Sequence, residues 1–185
     1  AMPALSLNSQ QNLIRIARDT LENFVKKGKL PGVQPEDPAF LEMRPCFITL
    51  KMRKDGKLRG CVGRLKTEKP LFEEVIQMTR AAASEDFRFL PLRAEELKDV
   101  VIEISALSPL ERIYSSDEIE VGRHGVYLQW KDRTGAFLPE VAGEMGWTAD
   151  EFVKACAREK AHFPEEAWPE VVLYRFTTEN IKEQP

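Results

Sequence analysis

Apolar residues recur at helical spacing in two long stretches of the chain. In the first, Leu13, Ala17 and Leu21 share one face, with Ser9 as the expected cap and Gly28 as the expected end. The second stretch begins at Pro70 and carries two adjacent apolar stripes, a pattern typical of a well-buried helix. A third helix is predicted from the capping box Thr148-Ala149-Asp150-Glu151.

The strand predictions come from shorter apolar runs between turn residues. Cys46–Met52 and Leu58–Val62 flank Asp55-Gly56, which predicts a hairpin with a type I′ turn. The run Val100–Leu107 is the most strand-like of the chain. Three further strands are predicted at 126–130, 136–138 and 171–176.

Helices, hairpins and single strands therefore alternate without the regular strand–helix–strand repeat of a parallel sheet. This order predicts an α+β fold with a largely antiparallel sheet flanked by helices. The chain has 185 residues, which suits a single domain spanning 1–185.

Composition narrows the class of function. The 27 basic and 30 acidic residues give a net charge of −3, so nucleic-acid binding is not expected. The sequence has no apolar run approaching a membrane span, so we expect no membrane association. Cys46, Cys61 and Cys156 are too widely spaced for a zinc site, and free thiols are typical of the cytoplasm. We expect neither a metal nor a cofactor.

The stretch Leu58–Gly63 combines two glycines, a cysteine and an arginine in one predicted strand. In a regular strand, Arg59 and Cys61 lie on one face, while Gly60 allows a ligand or another backbone to approach closely. A neighbouring positive charge lowers the pKa of a thiol and favours its reactive form. The alternative is a cysteine that serves only as a small buried hydrophobe.

Glu103 is the polar anomaly of the Val100–Leu107 strand, and it shares a face with Ser105. A buried carboxylate needs a partner, for which Arg59 and Arg88 are the candidates. We expect this face to point inward.

Glu85, Asp86 and Arg88 follow the second helix and are expected either to line the same site or to pair with each other. His124, between two glycines, is a candidate base; the alternative is a loop histidine with one backbone hydrogen bond.

Several motifs resemble those of the AMMECR-type domain family. They are Leu58-Arg59-Gly60-Cys61-Val62-Gly63, Ala82–Phe89, Glu103–Ser108, Gly122–Val126, Phe137–Val141 and the segment around Trp147–Phe152. Val62 stands where the family commonly has isoleucine, and Phe87 where many members have proline. The resemblance covers nearly the whole chain in order.

The resemblance implies a larger lobe, a smaller lobe at about 110–165, and a cleft between them. For the function, our first hypothesis is a cytoplasmic enzyme or enzyme component that uses the cleft around Leu58–Gly63. Cys61 would act as the nucleophile, Glu103 and His124 as acid and base, and Arg59, Gly60, Glu85, Asp86, Arg88 and Ser105 would bind the substrate.

The alternative is a non-catalytic module that binds a small molecule or a protein. In bacteria and archaea, genes of this family often lie near those of Memo-like and radical-SAM proteins, which makes these proteins candidate partners.

Overall fold

A computed structural model describes residues 4–184. Contacts divide these residues into two compact units. The first contains the residues up to Leu107 and those from Glu179 onward, and the second is Ser108–Thr178. Within the described range, each unit is built on one four-stranded sheet, so the predicted α+β class is confirmed.

The first unit contains two helices and four strands. The helices are α1 (Leu7–Lys27) and α2 (Leu71–Ser84), and the strands are β1 (Cys46–Met52), β2 (Leu58–Gly63), β3 (Val100–Leu107) and β8 (Thr178–Lys182). The sheet order is β2-β1-β3-β8, with β1 antiparallel to both of its neighbours. Both helices contribute to one apolar core with alternate residues of β1 and β3, among them Ile48, Leu50, Ile102 and Ile104.

The second unit contains its own sheet and core. Its strands are β4 (Glu111–Ile113), β5 (Gly125–Trp130), β6 (Arg133–Phe137) and β7 (Val172–Phe176), in the order β4-β7-β5-β6. Its helices are α3 (Pro139–Met145) and α4 (Ala149–Cys156). The predicted capping box is present, because the Thr148 hydroxyl accepts the backbone N–H of Glu151 and the Glu151 carboxylate accepts the backbone N–H of Thr148.

Several local predictions were wrong. The cap of α1 is Ser6, whose hydroxyl accepts the N–H of Ser9. The β1–β2 turn is not type I′, since Gly56 has φ of +72° but Asp55 does not have positive φ. β4, β8 and α3 were not predicted, because β8 is largely polar and β4 has three residues.

Gly60 fixes the distance between β2 and α2. A Cβ atom at this position would lie 2.4 Å from the carbonyl oxygen of Ala82, which is a backbone atom of α2. The strand and the helix therefore approach more closely than any other residue at position 60 allows. Gly60 thus faces the helix, and Cys61 faces the opposite side of the sheet.

Replacing Gly60 by alanine is expected to lower the free energy of unfolding by about 1–3 kcal/mol, because the methyl group forces strand and helix apart. Urea unfolding followed by circular dichroism measures the effect. Gly32→Ala is the matched control in the same unit, since a Cβ there meets no atom within 4 Å. Equal stability of the two variants would contradict the packing role of Gly60.

Candidate functional site

The face of the first sheet opposite α1 and α2 carries three of the predicted site residues, Cys61, Glu103 and Ser105. Thr49 of β1 pairs with Cys61 on one side and with Glu103 on the other, so the three side chains form a row across the sheet. All three are half-buried rather than sealed in the core. The Thr49 hydroxyl lies 3.3 Å from the Cys61 sulfur, where either atom can donate.

Asp86 holds the outer edge of β2. Its Oδ2 accepts the backbone N–H of Cys61 at 2.9 Å and the Arg88 Nη2 at 2.7 Å, and its Oδ1 accepts the Arg88 Nε at 3.0 Å. Asp86 is buried, whereas the Arg88 side chain is 49% exposed. The hydrogen bonds from Arg88 hold the pKa of the Asp86 carboxyl well below its usual range, so the group is a carboxylate at neutral pH.

Arg88 is the arginine that interacts electrostatically with Cys61. The hydrogen bonds with Asp86 are the largest cause that raises the pKa of Arg88, and the charge interaction with Cys61 acts in the same direction. Both the Cys61 amide and the guanidinium are bound to the same oxygen of Asp86, which keeps them side by side.

Arg59 does not continue the regular alternation of β2. The pairing shifts between Leu50 and Lys51, which face Gly60 and Leu58, so Arg59 is the extra residue of a β-bulge. Its guanidinium forms two hydrogen bonds with the Glu96 carboxylate, at 3.1 and 3.0 Å. This pair is the largest cause that lowers the pKa of Glu96. The ring of Phe89 lies beneath both guanidiniums, 5.8 Å from Arg59 and 5.6 Å from Arg88.

Glu103 has partners other than the predicted ones. Lys51 lies 3.0 Å and Lys182 lies 3.8 Å from its carboxylate, whose side chain is 23% exposed. The expectation that Arg59 or Arg88 pairs with Glu103 was therefore wrong. The face is half-exposed rather than inward, and Ser105 on the same strand donates to Asn180 at 2.6 Å.

Glu85 lies outside this arrangement, although it is next to Asp86 in the chain. It is exposed and pairs with Arg80 of α2 at 2.6 Å, whereas the expected pairing among these residues occurs between Asp86 and Arg88.

His124 belongs to the second unit and is buried. Its Nδ1 accepts the backbone N–H of Glu120 at 2.9 Å, and the backbone N–H of His124 donates to the carbonyl of Glu120. Burial and the charges of Arg175 and Arg123 lower its pKa, so the imidazole is neutral at pH 7 and the proton lies on Nε2. This is the backbone-bonded loop histidine of the alternative interpretation.

A surface pocket of about 210 Å³ lies elsewhere on the first unit, between α2 and residues 30–33. Its apolar part is formed by Leu30, Pro31, Val33, Phe72 and Ile76, and none of the predicted site residues lines it. Within residues 4–184, no group of three or more His, Cys, Asp or Glu side chains is arranged to hold a metal ion. In the same range, no helix is long and apolar enough to span a membrane.

Sequence reasoning missed three partners in the site. Thr49 bonds the Cys61 sulfur, Glu96 holds Arg59, and Phe89 supports both arginines. Of these three, only Thr49 could have been predicted from the sequence, because the register of the β1–β2 hairpin places it on the same side of the sheet as Cys61. The partner of Arg59 depends on the bulge, which strand periodicity does not show.

The fold and the site define an α+β protein in which a sheet face carries a cysteine and an arginine is held beside it by a buried carboxylate. A sequence model of the AMMECR1 family matches residues 14–181, and the chain belongs to this family.

The matched relatives are similar along nearly their whole length. The Methanopyrus kandleri protein MK0488 is 34% identical over 97% of this chain and 91% of its own. A protein from Thermococcus gammatolerans is 37% identical over 93% of this chain and 89% of its own. The crystal structure of the uncharacterized Pyrococcus horikoshii protein PH0010 has 32% identity and a TM-score of 0.82, covering 95% of this chain and 91% of that one.

Replacing Asp86 by asparagine is expected to lower the free energy of unfolding by about 1–3 kcal/mol at pH 7, because Arg88 loses its charged partner. Since folding lowers the pKa of Asp86, its stabilising contribution is complete above about pH 5 and decreases as the pH falls below about 4. The wild-type advantage should then shrink by at most about 1.4 kcal/mol per pH unit.

Urea unfolding of both proteins between pH 7 and pH 2.5 measures this difference. Because wild type and Asp86→Asn share all other carboxylates, the titration of those groups cancels in the difference between the two stabilities. A difference in stability that stays constant down to pH 2.5 would contradict the lowered pKa of Asp86.

Proposed function

We propose that the protein is a binding module that holds a ligand or a partner protein at the Cys61 site, which comprises Thr49, Cys61, Asp86, Arg88 and Phe89. One observation carries the proposal: the buried Asp86 carboxylate fixes the Cys61 amide and the Arg88 guanidinium together. A half-buried thiol and a half-exposed arginine are thereby presented in a fixed geometry. Such pre-organisation favours binding, because little side-chain freedom is lost when the ligand arrives.

The contacts of the thiol favour binding over nucleophilic catalysis. An activated cysteine needs a base within hydrogen-bond reach, as histidine provides in thiol enzymes. In the described part of the chain, the Cys61 sulfur bonds the hydroxyl of Thr49, which does not act as a base. The carboxylate of Glu103 is paired with Lys51, and Nδ1 of His124 is occupied by the Glu120 amide.

The Memo-like and radical-SAM proteins suggested by the family resemblance are the first partners to test. A cytoplasmic location fits this proposal and is supported by the free thiols of Cys46, Cys61 and Cys156.

Arg88→Gln is expected to weaken binding of a purified partner at least about tenfold, because it removes the charged donor from the site. Calorimetric titration of each purified Memo-like or radical-SAM partner measures the change. Arg15→Gln is the matched control in the same unit, since Arg15 is exposed on α1, which packs on the other face of the sheet, and donates to Asn12. Circular dichroism checks that both variants fold. Equal affinity of wild type and Arg88→Gln for every partner would sink the binding proposal.

A second candidate is a thiol-dependent reaction at Cys61. The observation in its favour is that Cys61 is half-exposed beside Arg88, whereas Cys46 and Cys156 are buried. Burial raises the pKa of the Cys46 thiol strongly and that of Cys156 to about 12, so neither forms a thiolate near neutral pH.

The native protein is therefore expected to take up one alkyl group from iodoacetamide at pH 7.5, and the Cys61→Ser variant none. Intact-protein mass spectrometry counts the added groups, and the chain unfolded in urea provides the reference for three accessible thiols. Labelling of Cys61 no faster than in the unfolded chain would remove the nucleophile role. Rapid labelling of Cys46 or Cys156 would contradict their burial.

A further inference from the structure

The guanidinium of Arg88 has one edge bound and one edge open. Its Nε and Nη2 atoms face the two oxygens of Asp86, at 3.0 and 2.7 Å. Since a guanidinium is planar and carries five N–H groups, the N–H groups of Nη1 and the second N–H of Nη2 point away from Asp86. The side chain is 49% exposed, so these donors are accessible.

Contacts on two sides hold this open edge in place. Asp86 is itself buried and is bound to the backbone of Cys61, so the carboxylate does not swing with the arginine. The Phe89 ring supports the guanidinium at 5.6 Å. A guanidinium fixed in this way presents a rigid pair of donors, which matches the two oxygens of a planar acid group.

The charges around the site leave room for one negative charge. The cations Arg59, Arg88, Arg93, Lys51 and Lys182 number five, and they are paired with four carboxylates, Asp86, Glu95, Glu96 and Glu103. The surplus is one positive charge, which matches a carboxylate (charge −1) better than a phosphate (about −1.5 to −2 at pH 7). The hydroxyl of Thr49 and the thiol of Cys61 add weaker polar groups beside the arginine.

We propose that the open edge of Arg88 is a carboxylate-binding subsite and that it places the carboxylate of the ligand next to the Cys61 sulfur. This inference rests on the proposed binding function and names the chemistry of its ligand. The carboxylate comes from a small organic acid or from a peptide chain.

The subsite can be tested by measuring how fast Cys61 reacts with two alkylating reagents of similar size. Iodoacetate carries a carboxylate and iodoacetamide is neutral, while both react by the same displacement: the sulfur bonds the methylene carbon and iodide leaves. Both require the thiolate, so the ratio of their rates cancels the protonation state of the thiol. That ratio measures how well the site receives a carboxylate beside Cys61.

The ratio of the iodoacetate rate to the iodoacetamide rate is expected to be about tenfold higher in the native protein than in the urea-unfolded chain. Arg88→Gln should abolish this gain, and Arg88→Lys should keep only part of it, because lysine retains the charge without the fork. Arg15→Gln is the control and should behave as wild type. Sodium acetate should slow the iodoacetate reaction more than sodium chloride at equal ionic strength.

A rate ratio that is equal in the native protein and the unfolded chain would overturn the subsite. An increase in the native ratio that is as large in Arg88→Gln and Arg88→Lys as in wild type would also overturn it. Stronger competition by phosphate than by acetate would overturn the assignment to a carboxylate. The two proposals fail separately. If the rate ratio is the same in the native and the unfolded protein, but Arg88→Gln still loses partner binding, only the subsite is rejected. If the ratio is higher in the native protein, but Arg88→Gln binds every partner as wild type does, only the proposed binding module is rejected.

Discussion

The buried carboxylate of Asp86 is the interaction on which the arrangement of the site depends. A carboxylate in such a position is unfavourable unless its oxygens are bonded, and here both oxygens accept from Arg88 while one also accepts the Cys61 amide. The bonds join a loop after α2 to the edge strand of the sheet. They turn two separate sequence motifs, Leu58–Gly63 and the segment around Asp86, into one structural unit.

The pairing of the charged side chains also decides what the site can do. Arg59 is held by Glu96 and Glu103 by two lysines, so neither of these predicted participants is available to act on the thiol. Arg88, rather than Arg59, is the arginine that interacts electrostatically with Cys61. What remains accessible is a guanidinium edge, a hydroxyl and a thiol, a set better suited to holding a ligand than to transferring protons.

The sequence predicted those parts of the fold in which local pattern and tertiary packing agree. β1, β3, α2 and the capping box at Thr148 were found because apolar spacing or a cap residue marks each of them. β8 was missed because Thr178–Lys182 is mostly polar, and without it the lysine partner of Glu103 on that strand was unknown.

In the site, too, the predictions that depend on local pattern were correct where the strand is regular, and those that depend on contacts between distant segments were not. Period-two alternation correctly separated Gly60 from Cys61, since both lie after the bulge and keep regular pairing. It failed at Arg59, where one extra residue breaks the alternation. Partners that come from distant segments, such as Glu96 and Lys182, follow from tertiary contacts that no local pattern encodes.

The bond between Asp86 and the Cys61 amide has a further consequence for the behaviour of the protein in solution. β2 lies at the edge of its sheet, and an edge strand offers unpaired N–H groups to any other strand that meets it. The Asp86 side chain occupies one of these donors and covers it with the loop that carries Arg88. The contact that builds the site thereby makes one donor of this edge unavailable for pairing with a strand of another molecule.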